Sequence, residues 1–225
     1  VFVDTTSRNF NLRFSSPCIN TGKPGSEPDP DSTNADRGVF YNPTNIGSAM
    51  IGYYTINNAP GSNADYSSFN AAVSDLVARH VAGPVTFQVS PGTYTEQVRI
   101  PEIVGASLNN PVEFISINQD CTSVILTYTS TTSTLNYTLK FDSADHITFR
   151  QMTTKATGTT YGRVIGILNG ANYNKILNCR IIGVQNTNTS SDFALVFSSG
   201  NNDNSNQFIS NELLFGSYGL FFNGV

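Results

Sequence analysis

Two interleaved series of similar segments fill the last third of the chain, and they restrict the fold more than any other feature. The first series is His146-Ile-Thr-Phe-Arg-Gln-Met152, Lys175-Ile-Leu-Asn-Cys-Arg-Ile181 and Gln207-Phe-Ile-Ser-Asn-Glu-Leu213. The second is Arg163-Val-Ile-Gly-Ile-Leu-Asn-Gly170, Phe193-Ala-Leu-Val-Phe-Ser-Ser-Gly200 and Gly219-Leu-Phe-Phe-Asn-Gly224. One recurs after 29 and then 32 residues, the other after 30 and then 24. Two unlike strands per period, closed by Gly and Asn-rich turns, describe one coil of a β-solenoid. A coil cannot bury its apolar face alone. Because the pattern breaks off inside a coil at Val225, the sequence reads as a piece of something longer.

Composition fits stacked strands. Charged residues make up 12% of the chain, against roughly 25% in ordinary soluble proteins, so Asn, Ser and Thr must supply the polar surface. A net charge of −4 leaves no basic footprint for nucleic acid. No run of about 18 apolar residues is present to span a membrane. Cys18, Cys121 and Cys179 lie too far apart for metal-ligand spacing. Cys179, inside an apolar strand, reads as a buried thiol, and a Cys18–Cys121 bridge is left open. Two sequons begin at Asn136 and Asn188.

Along the chain, Phe10–Phe14 reads as a short strand and the polar loop 23–38 as turns. Ile51–Ile56 is a strand. Phe69, Ala72, Val73, Leu76 and Val77 then share one helical face, so a helix is expected over about 67–79, capped by Ser67 or Ser68 and ended before Gly83-Pro84. Strands are expected at Val85–Val89, Gln97–Ile100, Val112–Ile117, Val124–Tyr128 and Thr138–Phe141. A single helix ahead of many strands suits a cap over an open solenoid end.

Two stretches carry a resemblance. Residues 65–101, ending in Ser90-Pro-Gly-Thr-Tyr-Thr-Glu-Gln-Val-Arg-Ile-Pro101, resemble the opening of right-handed parallel β-helix proteins such as pectin methylesterases and pectate-lyase-like surface proteins. Residues 10–40, with Ser16-Pro-Cys-Ile-Asn-Thr-Gly22 and Asp36-Arg-Gly-Val-Phe40, resemble the terminal segment of a β-helix domain in secreted Bacteroidetes proteins. The resemblance implies an all-β, right-handed parallel β-helix with one N-terminal capping α-helix. It divides the chain into a C-terminal remnant of a preceding β-helix (1–42), a connector and first strand (43–56), and the cap and first coils of a second β-helix (57–225).

It also invites a test for esterase chemistry. That family uses two aspartates, helped by Gln and Arg, one as nucleophile or base and the other as proton donor. The family's Gly-Tyr-Gln-Asp-Thr motif meets Gly183-Val-Gln-Asn-Thr187 here, with Asn186 in place of the acid. The second motif has only a loose counterpart at Leu213-Leu-Phe-Gly216, without its Asp. The expectation is therefore a chain that is not an enzyme.

Other polar groups have bland readings beside sharper ones. Asp29, Asp31, Asn34 and Asp36 present hard oxygen ligands at a spacing that could hold Ca²⁺, against a solvated acidic turn. No other cofactor is expected. Asp142 and Asp145, clustered with His146 at a turn, read as turn caps, His80 as a cation at a helix end, and Glu96, Arg99 and Glu102 as decoration on the first coil. Asn172, Asn174, Asn178, Asn201, Asn202, Asn204, Asn206 and Asn211 suit tight corners and amide ladders. Tyr161, Tyr173 and Tyr218 are the candidate glycan contacts, since the chain has no Trp.

The function expected is a non-catalytic β-helix segment of a large secreted or cell-surface protein, a stalk or adhesin module, with export by type IX secretion implied by the resemblance. Its partners would be further β-helix coils of the same polypeptide or of a neighbouring copy, secretion machinery or a surface glycan. The alternatives are a polysaccharide-active enzyme of the pectin esterase or lyase type with its site elsewhere, and a self-assembling filament subunit.

Overall fold

The computed structural model describes residues 2–4, 9–12, 22–23, 25, 49–200 and 202–224. The chain forms two compact units, Val1–Ala49 and Met50–Val225. In the first, β1 (Phe2–Asp4) pairs antiparallel with β2 (Asn9–Leu12). Cys18 and the candidate calcium loop at Asp29, Asp31, Asn34 and Asp36 lie outside the described residues.

The second unit opens with β3 (Met50–Ile56) and helix α1 (Phe69–Arg79), then winds through five coils of three strands. The first coil is β4 (Val81–Val89), β5 (Gly92–Thr95) and β6 (Val98–Ile100); the second is β7 (Val112–Ser116), β8 (Val124–Tyr128) and β9 (Leu139–Asp142). The third is β10 (Ile147–Arg150), β11 (Thr153–Ala156) and β12 (Ile165–Leu168). The fourth is β13 (Lys175–Leu177), β14 (Arg180–Ile182) and β15 (Val196–Ser199). The fifth is β16 (Gln207–Ile209), β17 (Glu212–Leu214) and β18 (Leu220–Asn223). Equivalent strands stack into three parallel sheets: β3-β4-β7-β10-β13-β16, β5-β8-β11-β14-β17 and β6-β9-β12-β15-β18. This is the expected right-handed parallel β-helix, with α1 as the single α-helix among the described residues.

Each coil thus has three strands, not two. The segment 175–181 contains two of them, split at Asn178 where φ is 52°. Equivalent corners fall at Gln151 and Ser210, with φ of 55° and 57°. One left-handed residue turns the chain from first to second sheet. The stacking register also differs from the expected one: Thr148 pairs with Lys175, so that step is 27 residues rather than 29.

Alternation along each strand sends one file of side chains inward. In the first sheet Phe87, Phe114 and Phe149 stack face to face with ring centroids 4.7 and 4.8 Å apart. The second sheet contributes Tyr94, Leu126, Thr154 and Ile181, and the third Leu139, Phe141, Ile165, Ile167 and Val196, all buried. Helix α1 closes the first coil by inserting Phe69 edge-on against Tyr94 at 5.1 Å and tilted by 30° against Phe114 at 5.9 Å.

Ser68 caps α1 by accepting the Ala71 N–H at 3.0 Å. Glu96 is no mere decoration: its two carboxylate oxygens accept the N–H groups of Phe69 and Asn70 at 3.1 and 2.9 Å. The helix ends at His80, with φ 62°, and the next strand begins at Val81 and runs through Gly83-Pro84. A register shift between Met50 and Gly52 of β3 absorbs that dipeptide in the pairing with β4. Burial pushes the His80 imidazole below its ordinary value, so the expected cation at the helix end is disfavoured.

Candidate functional site

The outward face of the second sheet is built by register. One file runs Thr93, Ile125, Thr153, Arg180 and Glu212; its neighbour runs Thr95, Thr127, Lys155, Ile182 and Leu214. The inward residue between the two files is apolar or Thr, and it pins the pleat. Over β8, β11 and β14 this face forms an open groove of about 470 Å³. A second hollow of about 290 Å³ adjoins it, sharing Lys155, Thr157 and Ile182 and rimmed by Gln185 and Phe215. Arg180 Nε donates to Glu212 at 2.5 Å, which raises the guanidinium's already high proton affinity. Thr129 and Thr157 share a hydroxyl hydrogen bond of 2.6 Å. The Thr127 hydroxyl oxygen is buried in the groove floor without a hydrogen-bond partner.

The third sheet carries a tighter ionic cluster. Asp142, 6% exposed, is ion-paired with Arg99, lies 3.1 Å from Lys140 Nζ, and accepts from Asn169 Nδ2 at 2.5 Å. Burial alone would raise its pKa. Hydrogen bonds from Arg99, Asn169 and Lys140 override that and hold the carboxyl at about 2. Asp142 is thus an ion-pair centre on a sheet face rather than the expected turn cap. A carboxylate so committed keeps little proton affinity for acid–base work. One coil on, Arg163 lies over the Phe197 ring at 3.6 Å and pairs with Asp192 at 3.0 Å. Phe197 in turn stacks on Phe221 at 5.6 Å.

The three candidate tyrosines are not brought together. Tyr161 and Tyr218 lead into β12 and β18, two coils apart, while Tyr173 leads into β13 at a different corner. Tyr173, with φ 58°, stacks flat on His146, with φ 59°, at 4.9 Å. Both sit at the same corner of successive coils. Tyr161 bridges Ser130 and Tyr218 packs edge-on against Phe221 at 5.1 Å.

Asparagines act mainly as a ladder. Asn174, 2% exposed, accepts the Ile147 N–H at 3.0 Å and donates to the Ala144 carbonyl at 2.7 Å. One coil later Asn206 accepts the Asn174 N–H at 2.9 Å and donates to the Ala171 carbonyl at 2.9 Å. Asn211 does the same for Cys179 N–H and Ile176 carbonyl. Asp145 caps in the expected way, accepting the Asn172 N–H at 2.6 Å. Among the described members of that group only Asn178 sits in the left-handed region; Asn201 lies outside the described residues. Asn186 closes an exposed turn, accepting the Asn188 N–H at 2.7 Å. Cys179 is buried, which raises its thiol to about 11. Of the two sequons, Asn188 is exposed, whereas Asn136 is buried, accepting from Arg163 N and donating to the Asp192 carbonyl.

Lys155, Arg180, Thr127 and Phe215 were not among the residues singled out from sequence. Each alone is an ordinary surface residue, and the missing signal was the 27-residue step that stacks Thr153-Thr-Lys155 on Arg180-Ile-Ile182. The Asp145-His146 and Asn172-Tyr173 pairs, both at the corner before a first-sheet strand and 27 residues apart, would have anchored that alignment.

No protein-family model and no curated protein matches the sequence. Among solved structures, the pectin methylesterase from Aspergillus niger in penultimately deglycosylated form is similar, with a TM-score of 0.51 at 16% identity over 79% of this chain. Its deglycosylated form gives a TM-score of 0.49 at 17% identity. The molecule is therefore a parallel β-helix of the architecture seen in pectin methylesterases. The chain spans 57% of the length of the first of these structures. No helix among the described residues is long and apolar enough to cross a membrane.

Proposed function

We propose that this chain is a non-catalytic segment of a longer β-helix that serves as a stalk or adhesive module of a secreted or surface protein. The observation that supports it most is the state of the carboxylates on the two outward faces. Asp142 is neutralised by Arg99 and Lys140, and Glu212 is tied to Arg180. Among the described residues, no second acid shares the ion pairs or hydrogen bonds of either one, to divide proton donation and acceptance between them. The reading of a Bacteroidetes surface protein exported by type IX secretion rests on the resemblance of residues 10–40 alone.

The partner proposed for the last coil is a further β-helix coil. Leu213, Leu220 and Phe222 continue the inward files of Ile181, Val196 and Ser198, yet are 41%, 47% and 50% exposed. They are core residues whose covering rung is the proposed partner.

Incubation with methylated pectin and with polygalacturonate, followed by proton release and unsaturated products, tests the reading. No turnover above a heat-treated control is expected, and turnover by residues 50–225 would overturn it. The competing reading is a polysaccharide-active enzyme with its site on other coils, favoured by the architecture shared with a pectin methylesterase. It predicts turnover by a longer protein and none by this segment.

A further inference from the structure

We propose that Asn223-Gly224, on the uncovered side of the fifth coil, is a site of spontaneous deamidation, and that Asp203 withholds the same reaction from Asn169-Gly170. This chemistry owes nothing to the non-catalytic reading above. The chain has two Asn-Gly dipeptides. Glycine has no Cβ to crowd its backbone nitrogen, so that nitrogen can reach the asparagine side chain before it. It attacks Cγ and closes a five-membered imide. The Cγ–Nδ2 bond breaks, and the nitrogen's proton leaves with the amide as ammonia. Water then opens the ring at either carbonyl, giving aspartate or isoaspartate. Two conditions follow: the glycine N–H must be free to give up its proton, and the asparagine must be free to turn.

The two dipeptides differ in both respects. The Gly170 N–H donates to Asp203 Oδ1 at 2.9 Å, and the Ala171 N–H donates to the same oxygen at 3.1 Å. An amide anion beside that carboxylate is disfavoured by charge. Asn169 is held as well: its Nδ2 donates to Asp142 at 2.5 Å and its carbonyl accepts from Ser143 Oγ at 2.9 Å. Asp203 is fixed in turn by the Ser198 hydroxyl at 2.8 Å. It reaches Gly170 from the equivalent turn one coil later. A carboxylate formed at residue 169 would face Asp142, so the guard also keeps that ion-pair cluster intact. Asn223 ends β18, and both it and Gly224 are exposed. Among the described residues, neither the Gly224 N–H nor the Asn223 carboxamide has a hydrogen-bond partner. A Cβ at Gly224 would meet the Gly200 carbonyl oxygen at 3.7 Å, an ordinary contact, so alanine fits there.

Incubation of the whole chain at mildly alkaline pH, well below its melting temperature, followed by peptide mapping with isoaspartate detection, tests this. Aspartate and isoaspartate are expected at Asn223, with Asn169 retained as the amide. Asn188, exposed but followed by Thr189, should lag behind Asn223 and gauges what the glycine contributes. Gly224→Ala should slow conversion at Asn223 and leave the melting temperature unchanged. Asp203→Ala should speed conversion at Asn169 by about tenfold, the factor expected from losing one hydrogen bond to a charged group. Asp203→Asn, which keeps the acceptor oxygen, should stay close to the parent's rate. Ser198→Ala, which only loosens Asp203, should give a smaller rise at Asn169 and serves where Asp203→Ala does not fold. Equal rates at the two dipeptides of the parent, an intact Asn223, a Gly224→Ala chain that converts as fast as the parent, or no rise at Asn169 in the folded variants would each overturn the assignment.

Discussion

The residues that do most for this fold are those that answer backbone groups at corners, where parallel strands leave N–H and C=O without neighbours in the ladder. Asn174 is the clearest case. Asn174→Ala would strand the Ile147 N–H and the Ala144 carbonyl in a buried place, and each such loss costs about 1–3 kcal/mol. Urea unfolding should therefore show a loss of about 3 kcal/mol, against about 0.5 kcal/mol or less for Asn204→Ala at an exposed position. Asp142 gives a prediction in pH. Its folded value of about 2 lies below the ordinary 3.8, so on acidification the unfolded chain takes up the proton first. The stabilisation is fully present above about pH 4 and is lost as pH falls through about 2; the shift corresponds to about 2 kcal/mol. Unfolding followed between pH 4 and 2 should show this fall in the parent and a flatter profile in Asp142→Asn. Sequence made Cys179 legible as buried because apolar neighbours surround it. It hid Asp142, whose partners Arg99 and Asn169 are remote in sequence and meet it only through the winding of the coils.

At the scale of elements, strands rich in apolar residues were readable, and the short polar ones of the second sheet were not. β5 (Gly-Thr-Tyr-Thr) and β11 (Thr-Thr-Lys-Ala) send Tyr94 and Thr154 inward between polar flanks, a pattern too short and too polar to stand out. They build the candidate groove, which is why the groove too went unread. The helix was readable from its apolar face, but its cap was only half so. Ser68 is local, whereas Glu96 arrives from beyond β5. An 11-residue helix is marginal in isolation, so this second cap matters. Glu96→Gln should cost about 1 kcal/mol and speed hydrogen exchange at the amides of Phe69 and Asn70 ahead of those in β7 and β10.

For the second unit as a whole, stability in a solenoid is a sum over rungs and their interfaces. Coils two to four are covered on both sides, while among the described residues the fifth has a neighbour on one. Native-state hydrogen exchange should therefore be slowest in β10–β12 and fastest in β16–β18, with the fifth coil opening separately from the rest. Uniform protection across all five coils would mean that Leu213, Leu220 and Phe222 are covered in solution.

Helix α1 has a further effect. With Phe69 seated against Tyr94 and Phe114, the stack of coils is closed on the side of β4, and any further rung, of the same polypeptide or of a neighbouring copy, joins it beyond β16–β18. The helix thereby gives the solenoid a single direction of growth.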